Sequence, residues 1–219
     1  MRLYTFQQCT LTQLDRDFGL QQVLSTPMFE QWIQAEIEIS DFEKSNLTYY
    51  QSLLELNVSA WYEQDLSMQF IGPVLGLVQF TDRYKYNLFA GRKIQAVLAG
   101  VDEEIELSGE PDGLLATGYR EPKIPMFAFT EYKKANDPSG EPPGQTLAAM
   151  LVGQHLNQTL KNTTGPIYGA YIIGGEWWFM LLQDKEYVIS RAYTALGSDL
   201  FEIFRILKSL KKIVIDLTK

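Results

Sequence analysis

The chain contains 219 residues, of which 46% are hydrophobic and 21% charged, and its formal net charge is −8. This length and composition are typical of one globular domain, and they exclude a disordered, collagen-like or simple coiled-coil protein. The single cysteine, Cys9, excludes an internal disulfide scaffold. No stretch reaches the roughly 20 apolar residues of a membrane span, and no signal peptide is visible, so we expect a cytoplasmic protein without a membrane partner.

The N-terminal third is predicted to be helical. Thr26-Pro27 is typical of a helix N-cap followed by a proline in the first turn. Ser40 and Glu43 have the spacing of a capping box, and the helix that they start should end near residue 55. Ser59 is expected to cap a third helix, which Gly72-Pro73 should disturb or end.

Later in the chain the pattern changes to short strand-like runs around one long helical segment. The strand-like runs are 93–99, 113–117, 126–132 and 168–173. Residues 147–160 have helical spacing, residues 177–193 indicate a hairpin that turns at 183–185, and residues 199–210 indicate an amphipathic helix capped by Ser198. This order of elements predicts an α/β or α+β fold with a mixed sheet.

The charge is distributed unevenly along the chain. Residues 1–66 carry three basic and ten acidic side chains, so the acidity belongs mainly to the N-terminal third. Overall acidity argues against nonspecific binding of nucleic acid, which depends on neutralising phosphates. A locally basic track could still contact phosphates, or it could simply be a solvated face. Two such clusters exist, Arg83, Lys85, Arg92 and Lys93 in one and Arg205, Lys208, Lys211 and Lys212 in the other.

The segment 109–134 carries the most informative pattern. If it forms a β-hairpin, the midpoint between Asp112 and Glu131 falls between Glu121 and Pro122, inside a proline-containing connection. Facing residues of an antiparallel pair are equidistant from the turn, so Asp112 should lie opposite Glu131 if no bulge intervenes. Lys133 should share the sheet face of Glu131, because side chains alternate along a strand.

Two clustered carboxylates repel each other and raise each other's pKa unless a cation lies between them. Mg²⁺ is suited to this position, since it is commonly held by one or two carboxylates together with water and substrate phosphates. Lys133 could then orient a water molecule or stabilise a phosphoryl transition state. The alternative interpretation is an ordinary turn at Asp112 and an exposed ion pair between Glu131 and Lys133.

Pro111-Asp112 followed after eighteen residues by Glu131-Tyr132-Lys133 resembles the motif of the PD-(D/E)XK nuclease superfamily. The resemblance covers roughly residues 60–175 and implies a restriction-endonuclease-like αβββαβ core with a mixed sheet. It further implies that Asp112 and Glu131 hold the metal and that Lys133 acts beside them. The acid that this family places on the preceding helix matches Glu63, with Asp65 as the substitute.

Gln145 opens the next helix, where an exonuclease-like branch of the family carries a glutamine with a site role. That branch has a tyrosine four residues later, and this chain has Ala149 there, so the match to the branch is partial. The whole chain, including FIGPVLGLV, GEPDGLLATG and EYKK, also resembles a group of uncharacterised bacterial proteins placed in the same superfamily.

The resemblance implies a nuclease that depends on Mg²⁺ or Mn²⁺ and acts on DNA, with RNA as another candidate substrate. The alternative is a non-catalytic member that binds nucleic acid or a protein partner, and a homodimer is also open. The expected organisation is a helical elaboration over residues 1–60 and the nuclease-like core over 61–219, which ends in a hairpin and a helix.

Several other chemically active residues are expected to have structural roles. His155, the only histidine, lies on the apolar face of its predicted helix, which favours a partly buried residue over a metal ligand. With one histidine and one cysteine, neither a zinc site nor a Cys–His nucleophilic pair is expected. The four tryptophans are predicted to be core residues, with base stacking as the alternative. The segment 136–144 is predicted to be a loop, and a lid over the metal site is its other interpretation.

Overall fold

The computed structural model describes residues 1–135, 140–161 and 165–219. The fold is mixed α/β, with two sheets and several helices. The predicted loop at 136–144 lies partly outside the described residues, because residues 136–139 are not among them. None of the helices in the described ranges is long and apolar enough to cross a membrane.

The strands are β1 (Arg2–Thr5), β2 (Gln21–Gln22), β3 (Thr81–Asp82), β4 (Tyr86–Ala90), β5 (Ile94–Ala99), β6 (Glu104–Gly109), β7 (Gly113–Thr117), β8 (Lys123–Lys133), β9 (Ile167–Ile173), β10 (Glu176–Gln183), β11 (Glu186–Ile189) and β12 (Tyr193–Thr194). The α-helices are α1 (Leu11–Phe18), α2 (Pro27–Ile33), α3 (Asp41–Asn57), α4 (Glu63–Leu66), α5 (Gly72–Val78), α6 (Pro142–Lys161) and α7 (Leu200–Leu217). A 3-10 turn covers Phe6–Gln8, and a π-helical turn over Ser67–Ile71 joins α4 to α5.

The larger sheet has the strand order β2-β11-β10-β9-β8-β7-β4-β3, and β12 pairs with β10. Strands β4, β7 and β8 are antiparallel neighbours, whereas β8 and β9 are parallel. A parallel pair needs a crossover connection, and α6 supplies it between β8 and β9. The smaller sheet has the order β1-β6-β5. The elements around the middle of the larger sheet therefore have this order along the chain: the helical segment α4–α5, the antiparallel strands β4, β7 and β8, the helix α6 and the parallel strand β9.

The N-terminal segment is not wholly helical, which corrects the expectation for residues 1–60. Strand β1 pairs in parallel with β6, and β2 pairs in parallel with β11. Both strands are short and have partners more than 90 residues away in the sequence, so no local pattern distinguishes them. Strands β4 and β6 were also missed by the sequence analysis.

Two predicted helix starts are confirmed, because the predicted capping side chains make hydrogen bonds to the backbone of the first helical turn. Thr26 Oγ1 accepts from the Phe29 N–H at 3.2 Å, and Ser40 and Glu43 form the reciprocal capping box. Two predicted caps are wrong. The helix after Ser59 begins at Glu63 with Tyr62 as its N-cap.

The last helix has Asp199 as its N-cap, without a side-chain capping bond, rather than Ser198. Gly72-Pro73 disturbs the helical segment but does not end it. The π-helical turn directly precedes this pair, and the helix continues to Val78.

Two hydrophobic clusters cover the two faces of the larger sheet. Helix α6 packs on one face, where Gly153 lets the Phe129 ring approach closely. Helices α2, α3, α5 and α7 contribute to the other cluster. The tryptophans are core residues, as predicted: Trp32 and Trp177 are fully buried, and Trp61 and Trp178 pack partly buried against these clusters.

Candidate active site

The hairpin of β7 and β8 brings Asp112 to Glu131. Gly113 lies opposite Thr130 in the antiparallel register, so the preceding residue, Asp112, comes level with Glu131. The pairing is irregular between Leu115 and Thr117, toward the turn, but the pairs at the open end of the hairpin have the predicted alignment. Two carboxylates from adjacent strands thus meet at one end of the hairpin.

Backbone geometry fixes the position of Asp112. Its Oδ2 accepts a hydrogen bond from the backbone N–H of Tyr132 at 2.8 Å. A Cβ at the next residue, Gly113, would lie 2.2 Å from Thr130 Oγ1, so a larger residue there would force the Thr130 side chain to move. The bond from the Tyr132 N–H therefore holds the Asp112 carboxylate against β8.

Lys133 connects the buried carboxylate to the helical segment. Its Nζ lies 3.0 Å from Glu131 Oε1 and 3.4 Å from Glu63 Oε2. The side chains of Lys133 and Glu131 are only 13% and 11% exposed, whereas that of Glu63 is 40% exposed. The lysine is thus held between an inner and an outer acid, with its ammonium group at the border of the site.

Burial makes the two inner carboxyl groups hard to ionise. It raises the pKa of Asp112 to about 6, although the Tyr132 N–H bond acts in the opposite direction. Burial, with the nearby charge of Asp112, raises the pKa of Glu131 to about 7, although Lys133 partly offsets this. Burial lowers the pKa of Lys133, but the surrounding carboxylates outweigh it and the net pKa is raised. The single positive charge of Lys133 therefore does not balance the negative charges of Asp112, Glu131 and Glu63.

The structure distinguishes the two helix acids. Glu63 contacts Lys133, and its charge also contributes to the raised pKa values of Asp112 and Glu131. Asp65 instead accepts the Tyr62 N–H at 3.1 Å at the helix start and is exposed. Glu63, which the resemblance favoured over Asp65, is thus the acid that lies beside the site.

Gln145 lies in the first turn of α6 and is 3% exposed. Its Nε2 lies close to Gly140, because a Cβ added to that glycine would be 2.4 Å from Gln145 Nε2. Among the described residues, no hydrogen bond joins Gln145 to Asp112, Glu131 or Lys133. The structure therefore does not bring this predicted site residue into contact with the carboxylates.

Sequence reasoning missed the contribution of Tyr132. Alternation along β8 placed its side chain on the opposite face from Glu131, but its backbone N–H holds Asp112. Its hydroxyl lies 3.4 Å from both the Asp112 carbonyl oxygen and Ser67 Oγ. These contacts link the hairpin to the π-helical turn. The signal available in the sequence was the position of Tyr132 directly after the residue facing Asp112.

Within residues 1–135, 140–161 and 165–219, no three His, Cys, Asp or Glu side chains are grouped closely enough to form a ready-made metal site. His155 is partly buried and lies 3.4 Å from Thr159 Oγ1 in its own helix. Within the described residues, the side chains that could ligate a metal at the open end of the hairpin are therefore the Asp112 and Glu131 carboxylates, and Glu63 contacts Lys133 instead.

No protein-family model matches the chain, and no curated protein is significantly similar to it.

Proposed function

We propose that the protein is a divalent-metal-dependent nuclease that hydrolyses phosphodiester bonds, with its reaction centre at Asp112, Glu131 and Lys133. The observation that carries the proposal is the convergence of buried Glu131, partly buried Asp112 and Lys133 at the open end of the β7–β8 hairpin. Two acids with raised pKa values and one shared cation form an electrostatically unfavourable arrangement. Such an arrangement is expected where charge is needed for chemistry.

The donor set fits a hard divalent cation. Asp112 Oδ2 accepts from a backbone N–H, and Oδ1 has no hydrogen-bond donor among the described residues. Glu131 binds Lys133 through Oε1, so Oε2 is the oxygen left for a ligand. Mg²⁺ and Mn²⁺ accept such a small number of carboxylates because water and substrate phosphates complete the coordination. A cation bound here would polarise a phosphodiester and activate a water molecule.

The residues around the carboxylates have distinct roles in this proposal. Asp112 and Glu131 bind the cation, and Glu63 acts as an outer ligand or holds Lys133 in place. Lys133 provides a preorganised positive charge for the oxygen on which negative charge develops. Its low exposure strengthens that interaction, since electrostatic attraction is larger where water is excluded. Gln145 remains a candidate for a supporting role, without a described contact to the other residues.

DNA is the proposed substrate, and RNA is the second candidate. The basic cluster Arg83, Lys85, Arg92 and Lys93 lies on the connections that flank β4, which pairs with β7, the strand that begins directly after Asp112. Within the described part of the chain, Arg92 is the only one of the four with an ion pair, to Glu121 at 3.8 Å. Basic groups with few acidic partners are available to contact phosphates.

The test is a cleavage assay with purified protein on double-stranded DNA, single-stranded DNA and RNA, each with Mg²⁺, with Mn²⁺ and with a chelator. Divalent-dependent cleavage that is lost in Asp112→Asn supports the proposal. Cleavage that persists unchanged in Asp112→Asn would point to a contaminating nuclease. Calorimetric titration with Mn²⁺ provides a second readout that does not depend on finding the substrate.

One observation favours a second candidate, a non-catalytic protein that binds nucleic acid or a protein partner on the same scaffold. The described acids do not form a ready-made group of three ligands. A binding module does not need affinity for Mg²⁺ or Mn²⁺ at Asp112. Absence of both metal binding and cleavage would therefore favour this candidate over the nuclease.

A further inference from the structure

Among the described residues, two polar contacts join the helical segment 63–71 to the end of strand β8. Glu63 Oε2 lies 3.4 Å from Lys133 Nζ. Ser67 Oγ donates a hydrogen bond to the Tyr132 hydroxyl, also at 3.4 Å. Glu63 and Ser67 are four residues apart and therefore share one face of the helical segment. That face contacts two consecutive residues of the strand, one of which, Lys133, belongs to the proposed reaction centre.

The Tyr132 hydroxyl makes two hydrogen bonds, because a hydroxyl group can accept and donate at the same time. It accepts from Ser67 Oγ and donates to the Asp112 carbonyl oxygen at 3.4 Å. The backbone N–H of the same tyrosine donates to Asp112 Oδ2 at 2.8 Å. Tyr132 therefore holds the aspartate at its backbone and at its carboxylate, and it ties both to the helical segment.

Ser67 is fixed by the core of the protein, whereas Glu63 is not. Ser67 begins the π-helical turn, and its carbonyl oxygen accepts from the Gly72 N–H five residues later. Phe70 and Ile71, in the same turn, are fully buried. Glu63 lies at the start of the helical segment, and its side chain is 40% exposed. The position of Glu63 beside the reaction centre therefore depends on the contacts between its helix and the hairpin.

The Tyr132 bridge is the more rigid of the two connections. The ammonium group of Lys133 is shared between Glu131 and Glu63, and it ends a flexible four-carbon side chain. An ion pair to a partly exposed acid also contributes little to holding two elements together. Tyrosine has only two side-chain torsions, and the Tyr132 ring packs against the hydrophobic cluster on its face of the sheet. The bridge thus sets the distance between the helical segment and the hairpin.

We propose that Tyr132 is a positioning residue of the nuclease, whose hydroxyl bridge between Ser67 and the Asp112 carbonyl holds Glu63 at the reaction centre. This inference rests on the proposed nuclease function. Loss of the hydroxyl leaves the backbone bond to Asp112 in place, so the inner carboxylates still bind the cation, but Glu63 no longer contributes. Groups that orient the ligands of a metal site typically account for about 10–100-fold in metal affinity or activity.

The test is a double-mutant cycle between Tyr132→Phe and Glu63→Gln. Tyr132→Phe keeps the ring and the backbone N–H and removes only the hydroxyl. Mn²⁺ affinity is measured by calorimetry, and cleavage of single-stranded DNA, double-stranded DNA and RNA is measured at saturating Mn²⁺. Tyr168→Phe is the matched control, because Tyr168 is a buried tyrosine of the same hydrophobic cluster whose hydroxyl has no hydrogen bond within the described part of the chain.

We expect Tyr132→Phe to lower the cleavage rate or the Mn²⁺ affinity about tenfold or more, and Tyr168→Phe to match the wild type. The double variant should be no more impaired than Glu63→Gln alone, because the glutamate acts only while the bridge holds it. A merely structural role of Tyr132 predicts instead that the two losses multiply. Ser67→Ala removes the other half of the bridge and should reproduce Tyr132→Phe. Melting temperature identifies a Tyr132→Phe protein that fails to fold, in which case Ser67→Ala decides.

Three outcomes in an enzyme that is active or binds Mn²⁺ would overturn the positioning role alone. These are losses that multiply in the double variant, a Tyr132→Phe protein with the rate and affinity of the wild type, and a Glu63→Gln protein without any loss. A wild type that neither binds Mn²⁺ nor cleaves any of the three nucleic acids would overturn the proposed function and this inference with it.

Discussion

The backbone N–H of Tyr132 holds Asp112 Oδ2 at 2.8 Å, across the hairpin from the strand end that carries the aspartate. The bond orients one carboxylate oxygen toward β8 and leaves the other for a ligand. An asparagine at this position can still accept that N–H with its amide oxygen, but it lacks the negative charge. Asp112→Asn should therefore preserve the fold and remove metal binding.

We expect Asp112→Asn to abolish the calorimetric signal for Mn²⁺ and to reduce divalent-dependent cleavage by about 100-fold or more, because it removes one of the two carboxylates that would hold the cation. Glu110→Gln is the matched control, since it removes an exposed carboxylate two residues away. Far-ultraviolet circular dichroism verifies folding. Equal Mn²⁺ affinity in Asp112→Asn and the wild type would remove Asp112 from the site.

Lys133 and Lys134 are neighbours in the sequence with different surroundings. Lys133 contacts Glu131 and Glu63, whereas Lys134 Nζ lies 5.3 Å from the centre of the Tyr62 ring. Lys133→Met should retain Mn²⁺ binding and lose about 100–1000-fold in kcat, because it removes a preorganised charge from the transition state. Lys134→Met should retain activity. Comparable rates in the two variants would show that Lys133 has no role in the reaction.

The alignment of Asp112 with Glu131 was predicted from residue count for a hairpin without a bulge, and the structure shows that alignment although bulges intervene. The pair nearest the turn, Thr117 with Lys123, is centred on Arg120, and the register shifts between Leu115 and Thr117 restore the alignment at the open end, which residue count alone does not reveal. The relevance of Glu63 was implied by resemblance alone. Its contact with Lys133 depends on how the helical segment packs against the end of β8, which local patterns do not reveal.

Other features depend on partners that are distant in the sequence. Strand β6 was missed although it alternates buried Ile105 and Leu107 with polar residues, a pattern that favours a strand. Its parallel pairing with β1 brings together residues about 100 positions apart and has no local signal. The π-helical turn before Gly72 is similar. The Gly-Pro pair indicated a disturbance, but only the packed structure shows that the helix continues beyond it.

Glu63 and Asp65 provide a matched pair of acids on one helical turn. Glu63→Gln should weaken Mn²⁺ binding or activity by about 10–100-fold, the usual effect of removing an outer group that orients a site. Asp65→Asn should leave both unchanged and lower stability by at most about 1 kcal/mol, because it weakens only the bond to the Tyr62 N–H. Cleavage rates and Mn²⁺ titrations of the two variants check this. A larger loss in Asp65→Asn than in Glu63→Gln would reverse the assignment.

The raised pKa values of Asp112 and Glu131, about 6 and about 7, predict how metal-free protein responds to pH. In the folded state both groups hold protons at pH values where the unfolded chain has already released them. Their contribution to stability is therefore fully present below the unfolded pKa values near 4, and it is lost as pH rises through 6 and 7. With a chelator present, the free energy of unfolding should fall between pH 5 and pH 8.

The double variant Asp112→Asn/Glu131→Gln removes both titrating groups and should show a flatter pH dependence over the same interval. Urea unfolding at pH 5, 6, 7 and 8 measures the difference between the two proteins, and other titrating groups cancel in that comparison. Saturating Mg²⁺ should raise the stability of the wild type most at pH 8, because it binds the ionised carboxylates, and should not change the double variant. Parallel pH profiles for the wild type and the double variant would contradict the raised pKa values of Asp112 and Glu131 on which the proposed site depends.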